Sequence, residues 1–184
     1  MNIIVKPYDS ELSYCRPDTT WERENRDFYS PECVNEIYFT PVVFARVAKA
    51  GKCVGKKFVE RYYDGVGCGI LLYGNKTYIS HIDKSSILPL PLYNPVVLED
   101  NDKVFDIEFC KDEQIQRLSI MLDEAKSVLE DTICRSSELI SLRIGDYVAV
   151  ELDSPALLSE TKDEEVKVKG FFCSNEVFDF KVIM

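Results

Sequence analysis

Histidine is almost missing from this chain: His81 is the only one in 184 residues. Seven cysteines (Cys15, Cys33, Cys53, Cys68, Cys110, Cys134 and Cys173) are scattered, odd in number and without a C-x-x-C pair. That usage suits reduced thiols in the cytoplasm better than a disulfide framework or a zinc site. Basic residues are also short, with 22 Lys+Arg against 32 Asp+Glu and a net charge of −10. Nucleic acid is therefore excluded as a partner, because phosphate binding needs a basic face. No apolar run reaches the roughly 20 residues of a membrane span, so no membrane partner is expected. The opening MNIIVKPYD lacks the long apolar core of a signal peptide. Internal repeats and low-complexity tracts are absent as well.

What is present is ordinary globular composition, 46% hydrophobic and 29% charged, enough for one domain over residues 1–184. Residues 2–6 predict a short strand ended by Pro7. Residues 8–33 are polar and predict an ordered loop or hairpin pinned by Trp21 and Phe28-Tyr29. Residues 36–49 read as a long strand rich in β-branched and aromatic types. Val54, Phe58, Val59, Tyr62 and Val66 have i/i+4 spacing and predict a helix that Gly65, Gly67 and Gly69 would stop. A turn at Gly74-Asn75 and a strand-like stretch over 77–82 follow. Three prolines make 87–95 an extended crossing segment.

Alternation over 104–109 and 114–118, around a Lys111-Asp112 turn, predicts a hairpin. Residues 119–135 read as a second helix capped by Ser119 or Asp123. Further strands are expected over 142–152 after the Gly145-Asp146 turn, over 164–172 and over 177–183, with the acidic run 163–165 a solvated start to its strand. The sum is an α+β fold: a strand-rich, mixed, barrel-like sheet system with two main helices.

Several stretches taken together resemble the C-terminal catalytic domain of the fumarylacetoacetate hydrolase family. They are IIVKPYDS (3–10), EIYFTPVVFARVAKAGK (36–52), KKFVERYYDGVGCGI (56–70), SLRIGDYVAVELDSP (141–155) and the closing VFDFKV. They occur in the family's order across nearly the whole chain. The resemblance implies a domain that forms dimers, binds magnesium or manganese and acts on small keto acids. Its metal ligands are an E-x-E pair on the long strand and an aspartate beyond it, since hard cations need several anionic oxygens.

The departures fall on that chemistry. The E-x-E positions are Thr40 and Val42, and the aspartate position is Leu71. The family lysine falls on His81 in Ile79-Ser80-His81-Ile82-Asp83, where Asp83 matches an aspartate. The family's T-G-T-P falls on Val150-Glu151-Leu152-Asp153, whose acids would repel an anionic substrate. A catalytic His81 oriented by Asp83 is weighed against a surface histidine, and a reactive Cys68 against a small buried residue. Gly65-x-Gly67-x-Gly69 is no dinucleotide fingerprint, because it does not open a helix after a strand. Tyr62, Tyr63 and Tyr73 read as core and rim, and residues 98–102 as a turn without calcium-loop spacing.

Two expectations follow. The first is a non-catalytic, metal-free protein, without cofactor, that serves as a binding or oligomerising module, as a homodimer or paired with a homologue. The second is a metal-dependent hydrolase, isomerase or decarboxylase of small keto acids. Its rebuilt site would draw on Glu36, Asp64, His81, Asp83 and Glu151, although Glu36 lies about 13 Å along the strand from Thr40.

Overall fold

The architecture is a computed structural model that describes residues 1–75, 79–100, 102–112 and 114–184. Its first half contains strands β1 (Asn2–Lys6), β2 (Tyr14–Pro17), β3 (Trp21–Glu22), β4 (Phe28–Tyr29), β5 (Glu36–Val47), β6 (Tyr63–Gly74) and β7 (Ser86–Ile87). The second half holds the hairpin β8 (Val104–Lys111) and β9 (Gln114–Met121), helix α1 (Ala125–Leu139), and strands β10 (Tyr147–Glu151), β11 (Ala156–Glu160), β12 (Glu165–Phe172) and β13 (Asn175–Ile183).

Two sheets result. The larger runs β2-β1-β10-β5-β6-β7-β3, with β11 also on β5, and the smaller runs β4-β13-β12-β8-β9. The β1–β10 pair is parallel and the β5–β6 pair antiparallel, so the larger sheet is mixed. It bends towards closure, because β2 and β3 at its two ends are joined directly through Asp18–Thr20. Arg16 on β2 reaches across to β6 and β7, donating to the carbonyl of Leu72 at 2.9 Å and to the hydroxyl of Ser86 at 3.0 Å.

Strand β5 changes partner at Pro41. Residues 42–46 pair with β10 and residues 36–39 with β11. Proline lacks the N–H of a central strand, and it sits in the gap between the two partners. The main core lies between this sheet, α1 and the smaller sheet, and includes Val43, Ile70, Leu129, Ile133, Phe105 and Val168. Among the described residues, no helix is long and apolar enough to cross a membrane.

The fold class agrees with the sequence, with one correction: among the described residues there is one α-helix. The segment read as a first helix is a 3-10 turn over Lys56–Arg61, followed by β6. Val66, Cys68 and Ile70 alternate with the three glycines, and pairing with β5 at 11 positions overrides the helical spacing of residues 54–66. The glycines lie inside β6 and stop nothing. Gly69 is required by close approach, since a Cβ there would fall onto the backbone carbonyl oxygen of Ile87.

The helix expected over 119–135 lies at 125–139. Ser119 belongs to β9, where its hydroxyl donates to Asp106, and the residue before the helix is Glu124 at φ 61°, without a side-chain cap. Asp163 is likewise not solvated: it is buried, accepts the Glu160 N–H at 2.9 Å and pairs with Lys111 at 2.7 Å. The segment 87–95 is extended as expected, with a cis Leu90–Pro91 bond, and leads into a 3-10 turn at Pro95–Glu99. Of the strand expected over 77–82, residues 77 and 78 lie outside the described residues, as does Asn101 of the turn over 98–102.

Candidate functional site

Side chains alternate across a strand, so the face of the larger sheet turned away from α1 is built from every second residue. There Ile3, Val5, Val42, Phe44, Leu71 and Ala149 pack with Tyr73, Leu88 and Tyr147 into a second apolar cluster. Register makes this necessary. Thr40 lies opposite Leu71, and Val42 lies between Gly69 and Glu151 on the neighbouring strands.

At the edge of the cluster a cavity of about 390 Å³ is lined by Pro7, Asp9, Tyr14, Tyr73, Ser80, Glu151 and Pro155. Glu151 is 5% exposed and Tyr73 4%. One Glu151 oxygen accepts the Tyr73 hydroxyl, and the other accepts the backbone N–H of Tyr8 at 2.9 Å. The Tyr14 and Tyr73 hydroxyls are 2.7 Å apart. With the Tyr73 proton directed at Glu151, Tyr14 is the donor between them. Arg16 donates from Nε to the Tyr14 oxygen at 3.4 Å and stands over the Tyr73 ring at 4.4 Å. A buried cation is thus joined to a buried carboxylate through two phenols, each bond polarising the next.

Burial dominates the electrostatics. It raises the Glu151 carboxyl above its ordinary value, opposed by the bonds from Tyr73 and Tyr8 and by Arg16. It also raises the Tyr73 hydroxyl, which stays a neutral donor at physiological pH. The Arg16 guanidinium is 1% exposed and is further anchored by Ser85, whose carbonyl and hydroxyl lie at 3.2 Å.

Of the residues nominated from sequence, Thr40, Val42, Leu71 and Glu151 come together on this face. Thr40 turns its hydroxyl to the Asp153 carbonyl at 2.6 Å. Val150 is a correction: it points to the opposite face and packs into the main core, as the residue before Glu151 on a strand must. His81 and Asp83 are exposed and, among the described residues, no hydrogen bond joins them. Asp64 is held by Arg46 at 2.8 Å on the surface, and Glu36 accepts from Tyr38 at 3.1 Å. Cys68 is buried, and burial pushes its thiol well up, which suits an inert residue. Sequence reasoning missed Arg16, Tyr14 and Asp9, which lie in the stretch read as a loop. The one available signal was Tyr14-x-Arg16, since residues two apart on a strand share a face.

No protein-family profile matches the chain, and no curated protein does. Solved structures do. A protein of Yersinia pestis CO92 described as of the fumarylacetoacetate hydrolase family superposes with a TM-score of 0.77 at 12% identity, covering 99% of this chain and 92% of that one. Fumarylpyruvate hydrolase of Pseudomonas aeruginosa, solved with Mn2+ and pyruvate, gives 0.74 at 14% identity, covering 100% and 90%. Maleylpyruvate hydrolase of Sphingobium sp. SYK-6 gives 0.74 at 13%, covering 97% and 69%. The chain has the fumarylacetoacetate hydrolase fold.

Within that fold the donor set does not fit a hard divalent cation. Magnesium and manganese want several anionic oxygens around one point. Here Val42 and Leu71 are aliphatic and fully buried, the Thr40 hydroxyl is bonded to Asp153, and among the described residues Glu151 is the single buried acid of the cavity. Among the described residues, no three His, Cys, Asp or Glu side chains converge as a metal would require.

Proposed function

We propose that this chain is a non-catalytic, metal-independent protein of the fumarylacetoacetate hydrolase fold that works as a binding module. The observation that carries this reading is the packing of Val42 and Leu71 into the apolar cluster around Phe44 and Leu88. A carboxylate at either position would be stranded among hydrocarbon groups. The metal-dependent enzyme is the competing reading, and its proposed ligands do not support it. Only Glu151 of Glu36, Asp64, His81, Asp83 and Glu151 lines the cavity.

Thermal unfolding with millimolar Mg2+ or Mn2+ tests it, together with absorbance assays on acylpyruvates. The expected result is an unchanged midpoint and no turnover. A specific ion at a hundredfold excess over Kd would stabilise the fold by about 2.7 kcal/mol. A saturable rise that disappears in Glu151→Gln, or any metal-dependent turnover, overturns the reading.

Self-association, with a second copy or a homologue, belongs to the same proposal. Among the described residues β9 pairs only with β8, and Ile115 and Met121 are exposed on it. An open edge with apolar side chains favours pairing with another chain. Light scattering should return twice the 21.1 kDa of one chain, and an Ile115→Glu/Met121→Glu variant should run as a monomer. A monomeric parent protein removes this part of the proposal.

A further inference from the structure

The cavity beside Glu151 and Asp9 is concave, walled by hydrocarbon and aromatic groups, and acidic at two points. Its volume of about 390 Å³ lies at the small end of ligand sites. We propose that it binds a small organic cation, a primary amine on a short carbon stem; this rests on the non-catalytic reading above.

Charge gives the first argument. Among the described residues, Glu151 on the buried wall and Asp9, exposed at the rim, are the two ionisable carboxyls lining the cavity. The nearest buried cation, Arg16, stands behind Tyr73 with its guanidinium bonded to Leu72, Ser85 and Ser86, and it does not line the space. Among the described residues lining it, an entering anion would meet two negative charges and no positive one, at a cost that burial enlarges.

Hydrogen-bond capacity gives the second. Each Glu151 oxygen accepts one bond, from Tyr73 or from the Tyr8 N–H, and a carboxylate oxygen has room for two. An ammonium brings donors and the compensating charge together, forming charge-assisted bonds. A neutral apolar guest would strip water from the carboxylate and return nothing. The walls give the third: Pro7 and Pro155 offer no side-chain donors, and the half-buried Tyr14 ring can flank an alkyl stem or a cation.

The test is calorimetric titration of the full chain with butylammonium chloride, with butanol as neutral isostere and pyruvate as anion. Saturable binding of butylammonium is expected, with butanol at least about tenfold weaker and pyruvate silent; one charge-assisted bond accounts for that ratio. Glu151→Gln should weaken butylammonium by about tenfold or more. Asp9→Asn, at an exposed position that does not threaten folding, should weaken it by a few-fold and flatten its salt dependence. Equal binding of butanol, no saturation by butylammonium, or unchanged affinity in Asp9→Asn overturns the proposal and leaves the non-catalytic reading standing. Pyruvate binding that requires Mn2+ overturns both.

Discussion

An Arg16→Ala variant is expected to lose about 3–5 kcal/mol of folding stability, from the buried hydrogen-bond partners it strands and the cavity it leaves. The guanidinium holds the carbonyls of Leu72 and Ser85 and the hydroxyls of Ser85, Ser86 and Tyr14. Those acceptors belong to β6, β7, β2 and the Ser85 turn, so one side chain fastens the two ends of the bent sheet. Alanine takes a donor from the Leu72 carbonyl, from the two serine hydroxyls and from the Ser85 carbonyl, which keeps only the Leu72 N–H at 2.7 Å. Lysine keeps the charge, but its compact ammonium cannot span Leu72 and the Ser85-Ser86 pair together; about half the loss should remain. Urea denaturation checks both variants. A cost within about 1 kcal/mol for Arg16→Ala would mean that the Asp18–Thr20 connection and the Thr20–Ser86 hydroxyl pair hold the closure without it.

Gly69→Ala should be comparably damaging, at about 3 kcal/mol or more. The new methyl would press on a backbone carbonyl, that of Ile87, which is fixed by β7 pairing with both β6 and β3. A flexible side chain could rotate away; a ladder carbonyl cannot. Gly55 provides the control, because an added Cβ there meets nothing within 4 Å, and Gly55→Ala should stay within about 0.5 kcal/mol of the parent. Equal stability of the two variants would show that β7 yields, and the account of the glycines in β6 would fall with it.

The strands that could be read from sequence are those whose residues declare one face. Residues 2–6, the 104–118 hairpin and the two closing strands alternate or run apolar between clear turns, and they lie where expected. Residues 54–74 could not be read this way, because their helical spacing and their two-residue alternation coexist. The choice is made by β5, more than a dozen residues upstream, through tertiary pairing that overrides local preference. The site was legible in part. The family comparison marked Thr40, Val42, Leu71 and Glu151, and the fold gathers all four. Arg16 and Tyr14 escaped, and Tyr73 was legible only as core or rim, because the network joining them to Glu151 spans most of the chain, and no local pattern announces a hydrogen bond across that separation.

Strand β1 pairs in parallel with the much later β10, and the Asn2 N–H is bound by the Asp146 carboxylate 144 residues further on. At ribosomal speeds of about 5–20 residues per second, roughly 7–29 s pass between the synthesis of the two partners. For that interval the apolar Ile3, Ile4 and Val5 have no sheet to join beyond a local hairpin with β2. The larger sheet cannot be completed before β10 has been made. Its assembly waits for β10, and in a cell it passes through a window in which holdase chaperones have an exposed hydrophobic segment to grip.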